Sequence, residues 1–297
     1  MTTIKESISA NTLFHFTPTL GNLKNIIEGG IKIGFSLENY GSILNENQEI
    51  GLPMICFCDI PLSRIKEHVQ KYGGYAIGLQ KSWGMQNKLT PVIYSHKNSP
   101  ATELLNEVYS NIGSFIQIHD KYKPKQPNQK DKSIFDLLLD NYNKLYTQNE
   151  FQHKKEVNDL VEALKKKITV FYRYVKPYKG KCFRNGAYLP DEVEFYNEKE
   201  WRFVPTKEEV AKIGLKDTYD KEYLTDPKYK RAINIKCNKL KLKFSPTDVR
   251  FIIVNKEHEI PSLIEHMDGI DFHKTSSKAL QILKTRIISL EQIIDDL

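Results

Sequence analysis

Cysteine is scarce. Cys56, Cys58, Cys182 and Cys237 are the four in 297 residues, too few for a disulfide framework at this length, and no two form a C-x-x-C pair of the kind that binds zinc. Free thiols are expected, with Cys56 and Cys58 sharing one face of a strand as small buried hydrophobes. Long apolar runs are missing as well. No stretch approaches the roughly 20 predominantly apolar residues needed to cross a bilayer, and the opening MTTIKESISANTLFHF lacks the apolar core of a signal peptide. A cytoplasmic protein with no membrane partner is the expectation. The common nucleotide and acyl-transfer signatures are also absent: there is no P-loop, no G-x-G-x-x-G, no G-x-S-x-G and no kinase loop set. His258-Glu259 runs into Ile260-Pro261 and so fails H-E-x-x-H, leaving no metal to expect.

What is present is an ordinary globular composition, with 40% hydrophobic and 27% charged residues, so function must be sought in local pattern. The net charge of +7 is mild. Residues 207–250 hold twelve Lys/Arg against seven Asp/Glu, which makes this basic stretch the place where a nucleic acid would bind.

Leu13–Thr17 reads as a strand, followed by Leu20, Leu23, Ile26 and Ile27 at helical spacing and a glycine stop at Gly29-Gly30. After a polar loop, Pro53–Cys58 is an apolar run of strand length, with Asp59 as the N-cap of a helix carrying Leu62, Ile65 and Val69. Tyr75–Leu79 and Pro91–Tyr94 read as strands on either side of a Trp83-Gly84 turn. From about 99 to 167 the pattern is helical, interrupted by a polar loop at Lys121–Lys132. Strand signals return at Thr169–Val175, Val193–Val204, Ala232–Ile235, Lys241–Phe244 and Val249–Val254. The expected fold is α+β: one domain over 1–297, with a mixed, split β-sheet and a helical insertion at about 99–167. At the end, Leu280, Leu283, Ile287, Leu290, Ile294 and Leu297 recur at spacings of three and four, predicting a helix over about 277–297. It would dock on the chain's own core or form the seam of a homodimer.

The segment Val193–Pro205 is the chemically distinctive one. In a continuous strand, Val193, Phe195, Trp201 and Phe203 take one face, and Glu194, Glu198, Glu200 and Arg202 the other. That second face is either a solvated surface with exposed Glu–Arg pairs or a working site. His15 and Thr17 share a face of the first strand and form a candidate donor pair beside a helix.

A His on the first strand and a Glu on a late strand resemble the pattern by which ADP-ribosyltransferase folds surround NAD. That resemblance implies NAD as cofactor, Glu200 as the catalytic carboxylate and Glu198 as the first member of a Glu-x-Glu pair. His15, Thr17, Tyr75 and Arg202 would then be the cofactor-binding side chains. A carboxylate beside the positive charge that develops as nicotinamide leaves contributes most in the transition state. Two departures stand out: Phe57 occupies the place of the middle tyrosine, and Cys56-Phe57-Cys58 replaces Ser-Thr-Ser. Arg202, two residues from Glu200, would also hold that carboxylate ionised and paired.

Longer blocks carry a closer resemblance. Leu13–Thr17, Pro53–Pro61 (PMICFCDIP), Lys66-Glu67-His68 with Tyr72-Gly73 and Tyr75–Leu79, Val175–Tyr178, and Phe195–Pro205 (FYNEKEWRFVP) together resemble the AbiGi family of abortive phage-infection proteins. The resemblance spans roughly residues 12–265 and implies a bacterial anti-phage component. It implies an antitoxin-like protein of a two-gene system whose partner resembles a nucleotidyltransferase toxin. Its expected partners are therefore a cognate toxin or a phage protein.

Overall fold

The computed structural model describes residues 11–40, 49–121, 187–270 and 277–296, and residues 159–184 apart from 161, 162, 165 and 168. The chain divides into two compact units, Met1–His96 with Tyr174–Leu297, and Lys97–Arg173.

The larger unit is built on a nine-stranded mixed sheet. Strand β1 (Thr12–Thr17) leads into helix α1 (Leu20–Gly29), whose Thr19 accepts a hydrogen bond from the Asn22 amide and whose stop is Gly30 at φ 88°, a conformation open to glycine. Two short strands follow, β2 (Ile31–Lys32) and β3 (Gly34–Asn39), where the sequence reads as a polar loop. The long β4 (Glu49–Cys58) pairs antiparallel with β1 at one end and β3 at the other. After α2 (Lys66–Tyr72), β5 (Tyr75–Gln80) pairs with β1 in full register, Thr12 opposite Gln80 through Thr17 opposite Tyr75. The Trp83-Gly84 segment is not a turn but part of helix α3 (Lys81–Gln86), with both residues buried. Asp59 does not cap a helix either: the N-cap positions that follow are Pro61 and Ile65, neither with a side-chain cap bond, and the Asp59 carboxylate pairs with Lys81 at 2.7 Å.

Thr90–Pro91 (β6) and Ile93–Ser95 (β7) lie in different sheets. β6 is the sheet edge beside the strand Glu200–Phe203, whereas β7 pairs parallel with β8 (Val175–Pro177). Lys179–Arg184 (β9) and Ala187–Glu194 (β10) form a separate antiparallel ribbon. The expected strand across Val193–Val204 is therefore broken. It ends at Glu194, passes through a 3₁₀ turn at Phe195–Glu198 and left-handed Lys199 (φ 44°), then resumes as β11 (Glu200–Phe203). Tyr219–Asp220 (β12) and Lys241–Leu242 (β13) are short strands pairing with β4 and β2. Ala232–Ile235 is helical, inside Pro227–Cys237, which Asp226 caps and Pro227 opens.

The C-terminus is not one helix. Ser277–Lys284 is helical, Ile287–Ser289 is a strand (β15) parallel to β14 (Val249–Val254), and Leu290–Asp296 is helical again. Leu283 and Leu290 of the repeat are buried in the chain's own core together with Ile293, whereas Ile294 is exposed, so the repeat does not form one continuous helical seam. Leu297 lies outside the described residues.

The sheet buries apolar side chains on both faces. Leu13, Ile77, Leu79, Ile252 and Val254 pack with α1 and the helices Pro227–Cys237 and Ile260–Asp268, while Phe14, Ala76 and Ile253 pack with Ile60, Ile65, Leu290 and Ile293. Alternate residues of β1, β5 and β14 thus serve opposite cores, the pattern of a strand covered on both sides.

In the smaller unit, α4 (Pro100–Lys121) starts where Ser99 accepts the Thr102 amide, and the Tyr172 hydroxyl donates to the Leu105 carbonyl at 3.1 Å. The polar loop at 122–132 and most of the helical pattern over 131–167 lie outside the described residues. None of the helices among the described residues is long and apolar enough to cross a membrane.

Candidate functional site

Strand β11 lies between β4 and β6, with Glu200 opposite Cys58 and Arg202 opposite Cys56. The alternation seen in the sequence holds here with an inverted result. Arg202 and Glu200 are 0% and 4% exposed, whereas Trp201 and Phe203 are only half-buried. The polar face is the sealed one.

It is sealed by a chain of charge-assisted hydrogen bonds. Arg202 donates through Nε to Glu200 Oε1 at 2.6 Å and through Nη2 to Glu200 Oε2 at 3.3 Å and Glu38 Oε2 at 2.7 Å. Lys176 donates to Glu200 Oε2 at 2.6 Å and to Glu198 Oε2 at 2.7 Å. The ends are closed by Ser36, whose hydroxyl donates to Glu38 at 3.0 Å, and by Tyr72, whose hydroxyl donates to Glu198 Oε1 at 2.5 Å. The left-handed turn at Lys199 is what lets Glu198 and Glu200 converge on one ammonium.

The members come from five elements: Ser36 and Glu38 from β3, Tyr72 from the end of α2, Lys176 from β8, Glu198 from the 3₁₀ turn, and Glu200 and Arg202 from β11. The Lys176 ammonium also lies 4.5 Å from the Phe195 ring centre. On the backbone side, the Glu200 amide donates to the Tyr94 hydroxyl at 2.8 Å and its carbonyl accepts from Val92.

Burial alone would raise the Glu200 pKa, but the charges and hydrogen bonds of Arg202 and Lys176 outweigh it and hold the carboxyl well below its usual range. For Lys176 burial pulls down, yet Glu200 and Glu198 push its pKa well up. Arg202 is raised in the same way by Glu200 and Glu38. Burial, then the Glu200 charge, push the Cys56 thiol well above its ordinary value, which keeps it protonated and a poor nucleophile. Cys56 and Cys58 are half-buried; Cys58 packs against the second core.

His15, Glu198 and Glu200 line one cavity of about 160 Å³, together with Tyr72, Cys56 and Lys176. His15 donates through Nδ1 to the Cys56 carbonyl at 2.8 Å, and burial lowers its pKa. A neutral ring fixed this way leaves Nε2 as an acceptor. Because the folded-state value is depressed, the stability tied to this residue is present above the unfolded value of about 6.5 and is lost as pH falls through the lower folded value. An NMR titration should therefore show the His15 ring titrating with a midpoint below that of an exposed imidazole; a midpoint at or above about 6.5 would contradict the burial.

Thr17 does not line this cavity but an adjoining groove of about 1040 Å³ that shares His15, Cys56 and Tyr72 with it. Tyr75 lies on neither lining. Its hydroxyl donates to Glu259 at 2.7 Å, and burial followed by that carboxylate pushes its pKa up to about 12. Arg202 stands behind Glu200, out of reach of a ligand. Of the residues expected to form the site, His15, Glu198 and Glu200 line one cavity, Thr17 lines the adjoining groove, and Tyr75 and Arg202 line neither.

Glu38, Lys176, Tyr72 and Tyr94 are site residues with no role legible in their local sequence. Lys176 stood within the Val175–Tyr178 block, which was the available signal for it. Among the described residues no group of three His, Cys, Asp or Glu is placed to hold a metal.

Residues 32–255 match the family described as "Putative abortive phage resistance protein AbiGi, antitoxin". The chain is 26% identical over 278 residues to the abortive phage resistance protein AbiGi of Lactococcus lactis subsp. cremoris, covering 86% of this chain and 94% of that protein. No solved structure matches it.

Proposed function

This chain belongs to the AbiGi family, and on that premise we propose that it is the antitoxin-like component of an abortive-infection module, acting by binding a partner rather than by turning over a substrate. The observation that carries this reading is the saturation of the site. Every carboxylate oxygen of Glu198 and Glu200 already accepts a hydrogen bond from Lys176, Arg202 or Tyr72. A network so paired shapes and stiffens a cleft, and it ties every oxygen of both carboxylates to a donor of the protein rather than reserving one for a reacting centre. The partner expected is the cognate toxin of the same module.

The test is co-expression of this protein with that toxin. Wild type and Glu200→Gln should restore growth equally, since the variant keeps the fold and the binding surface. Loss of rescue by a Glu200→Gln protein whose unfolding curve shows it folded would overturn the binding reading.

A second reading rests on one placement: His15, Glu198 and Glu200 border the same cavity, which opens toward a groove of nucleotide size. It is the arrangement that an ADP-ribosyltransferase-like fold would use to cleave NAD, with Glu200 at the nicotinamide ribose and His15 on the far side. Purified protein incubated with NAD would then release nicotinamide, and Glu200→Gln would reduce that release by at least about 100-fold, the scale of losing one transition-state charge contact. No release from wild type in the presence of phage extract would end this reading.

A further inference from the structure

The larger groove has a chemistry of its own at the end away from Glu198 and Glu200. Its floor there is the β2–β13 ribbon, in which Lys32 and Lys241 are directly opposed. Like charges facing each other across a strand pair are destabilising. Among the described residues neither lysine has an ion pair or a hydrogen bond to offset this. Lys230 brings a third ammonium to the same lining from the helix Pro227–Cys237, and it too is unpaired among the described residues. Lys230, Asn234 and Asn238 recur every four residues, so one stripe of that helix carries all three onto the groove, while Ile233 and Cys237 beside them are buried.

The opposite wall is α1, which contributes Asn25 and ends at Gly29. A side chain at Gly29 would come within 2.8 Å of the Lys241 ammonium, so the missing Cβ is what lets that ammonium lie against the helix end. The one acid on the lining is Glu28, whose carboxylate lies 3.9 Å from His266. Three uncommitted cations and four amides (Asn22, Asn25, Asn234 and Asn238) against one acid describe a pocket for an anion carrying hydroxyl or base groups. A volume of about 1040 Å³ is at the upper end for small-molecule sites, far more than a bare ion fills.

We propose that this groove binds a phosphate-bearing nucleotide, with its phosphates held by Lys32, Lys230 and Lys241 and its sugar or base met by the asparagines. The inner end suits a sugar, because a neutral His15 offers an acceptor to a hydroxyl and repels no part of it. Neither functional reading above is needed for this: a partner-binding protein could carry the site as readily as an NAD-cleaving one.

The experiment is calorimetric titration of the full chain with ADP, with inorganic phosphate and with a uridine decamer RNA. ADP should bind, and inorganic phosphate should bind more weakly than ADP. The double variant Lys230→Gln/Lys241→Gln should weaken ADP binding at least about tenfold, or 1.4 kcal/mol. Both side chains are solvent-facing or half-buried and make no hydrogen bond among the described residues, so the variant's melting temperature should stay within about 2 °C of wild type. Gly29→Ala, which displaces the Lys241 ammonium, should weaken ADP in the same direction. No heat with millimolar ADP, unchanged affinity in a folded double variant, or RNA binding that ADP does not displace would each overturn the proposal. Nicotinamide release is scored separately: ADP bound without any release keeps the groove site and removes only the cleavage reading.

Discussion

Replacing Arg202 with methionine should lower the unfolding free energy of the larger unit by about 3–5 kcal/mol, the range for breaking a buried ion pair from one side. Arg202 is fully buried and divides its donors between Glu200 and Glu38. The cluster contains three carboxylates (Glu38, Glu198, Glu200) and two cations (Lys176, Arg202), a formal sum of −3 + 2 = −1. Removing the arginine takes it to −2, with two carboxylates desolvated and no strong donor between them. Removing a carboxylate works the other way: Glu200→Gln brings the sum to zero and leaves Lys176 with Glu198 and Arg202 with Glu38. Its cost should be the smaller one of mismatched hydrogen bonds, about 1–2 kcal/mol. Urea unfolding followed by tryptophan fluorescence reads the right unit, because Trp83 and Trp201 both belong to it and Trp201 sits in β11 itself. Equal losses from Arg202→Met and Glu200→Gln would show that the cluster is solvated in solution and that its net charge does not matter.

The same cluster should bend the pH dependence of stability at both ends. Glu200 has a folded-state pKa depressed below its unfolded value, so its contribution is complete above about 4.3. It is lost progressively as pH falls through that value toward the much lower folded one. Lys176 has a raised folded-state pKa, so its contribution is complete below about 10.4 and is lost as pH rises through the folded value. Between these limits a His15 limb should appear below about pH 6.5, shallower because one neutral ring is involved, and a thiol limb above about 8.5, where Cys56 and Cys237 would ionise in the unfolded chain but are kept protonated by the fold. Stability measured by urea titration at pH 3, 5, 7 and 8 should therefore be close to level from 7 to 8 and fall steeply from 5 to 3. In Glu200→Gln the step between 5 and 3 should shrink. A step of unchanged size in that variant would assign acid unfolding to other carboxylates.

How much of this was readable in advance differs from element to element. β1 with α1, and the strands β4, β5 and β14, follow from local pattern because periodicity, a threonine cap and a glycine stop act over only a few residues. The helix Pro227–Cys237 was misread as strand at Ala232–Ile235 because Ile233 and Ile235 favour strands, although Asp226 and Pro227 already marked a helix start. The break at Phe195–Glu198 was invisible because alternation continues across it, Glu198 and Glu200 remaining on the same side. The heptad at the C-terminus was real as a pattern, yet Ile287–Ser289 found a parallel partner in β14, and pairing with that strand outweighed helical continuity.

The sequence by itself determined that Glu198, Glu200 and Arg202 would share a face, that a histidine would sit on the first strand, and that the chain resembles AbiGi proteins. It left open whether that face was solvated or working. Only the tertiary structure decided that the face is closed, because the state of a buried carboxylate depends on which cations reach it through space. Here those are Lys176, 24 residues away from Glu200, and an Arg202 guanidinium shared with Glu38 across 164 residues. Sheet register brings them together, and nothing in the local sequence around Glu200 encodes that meeting.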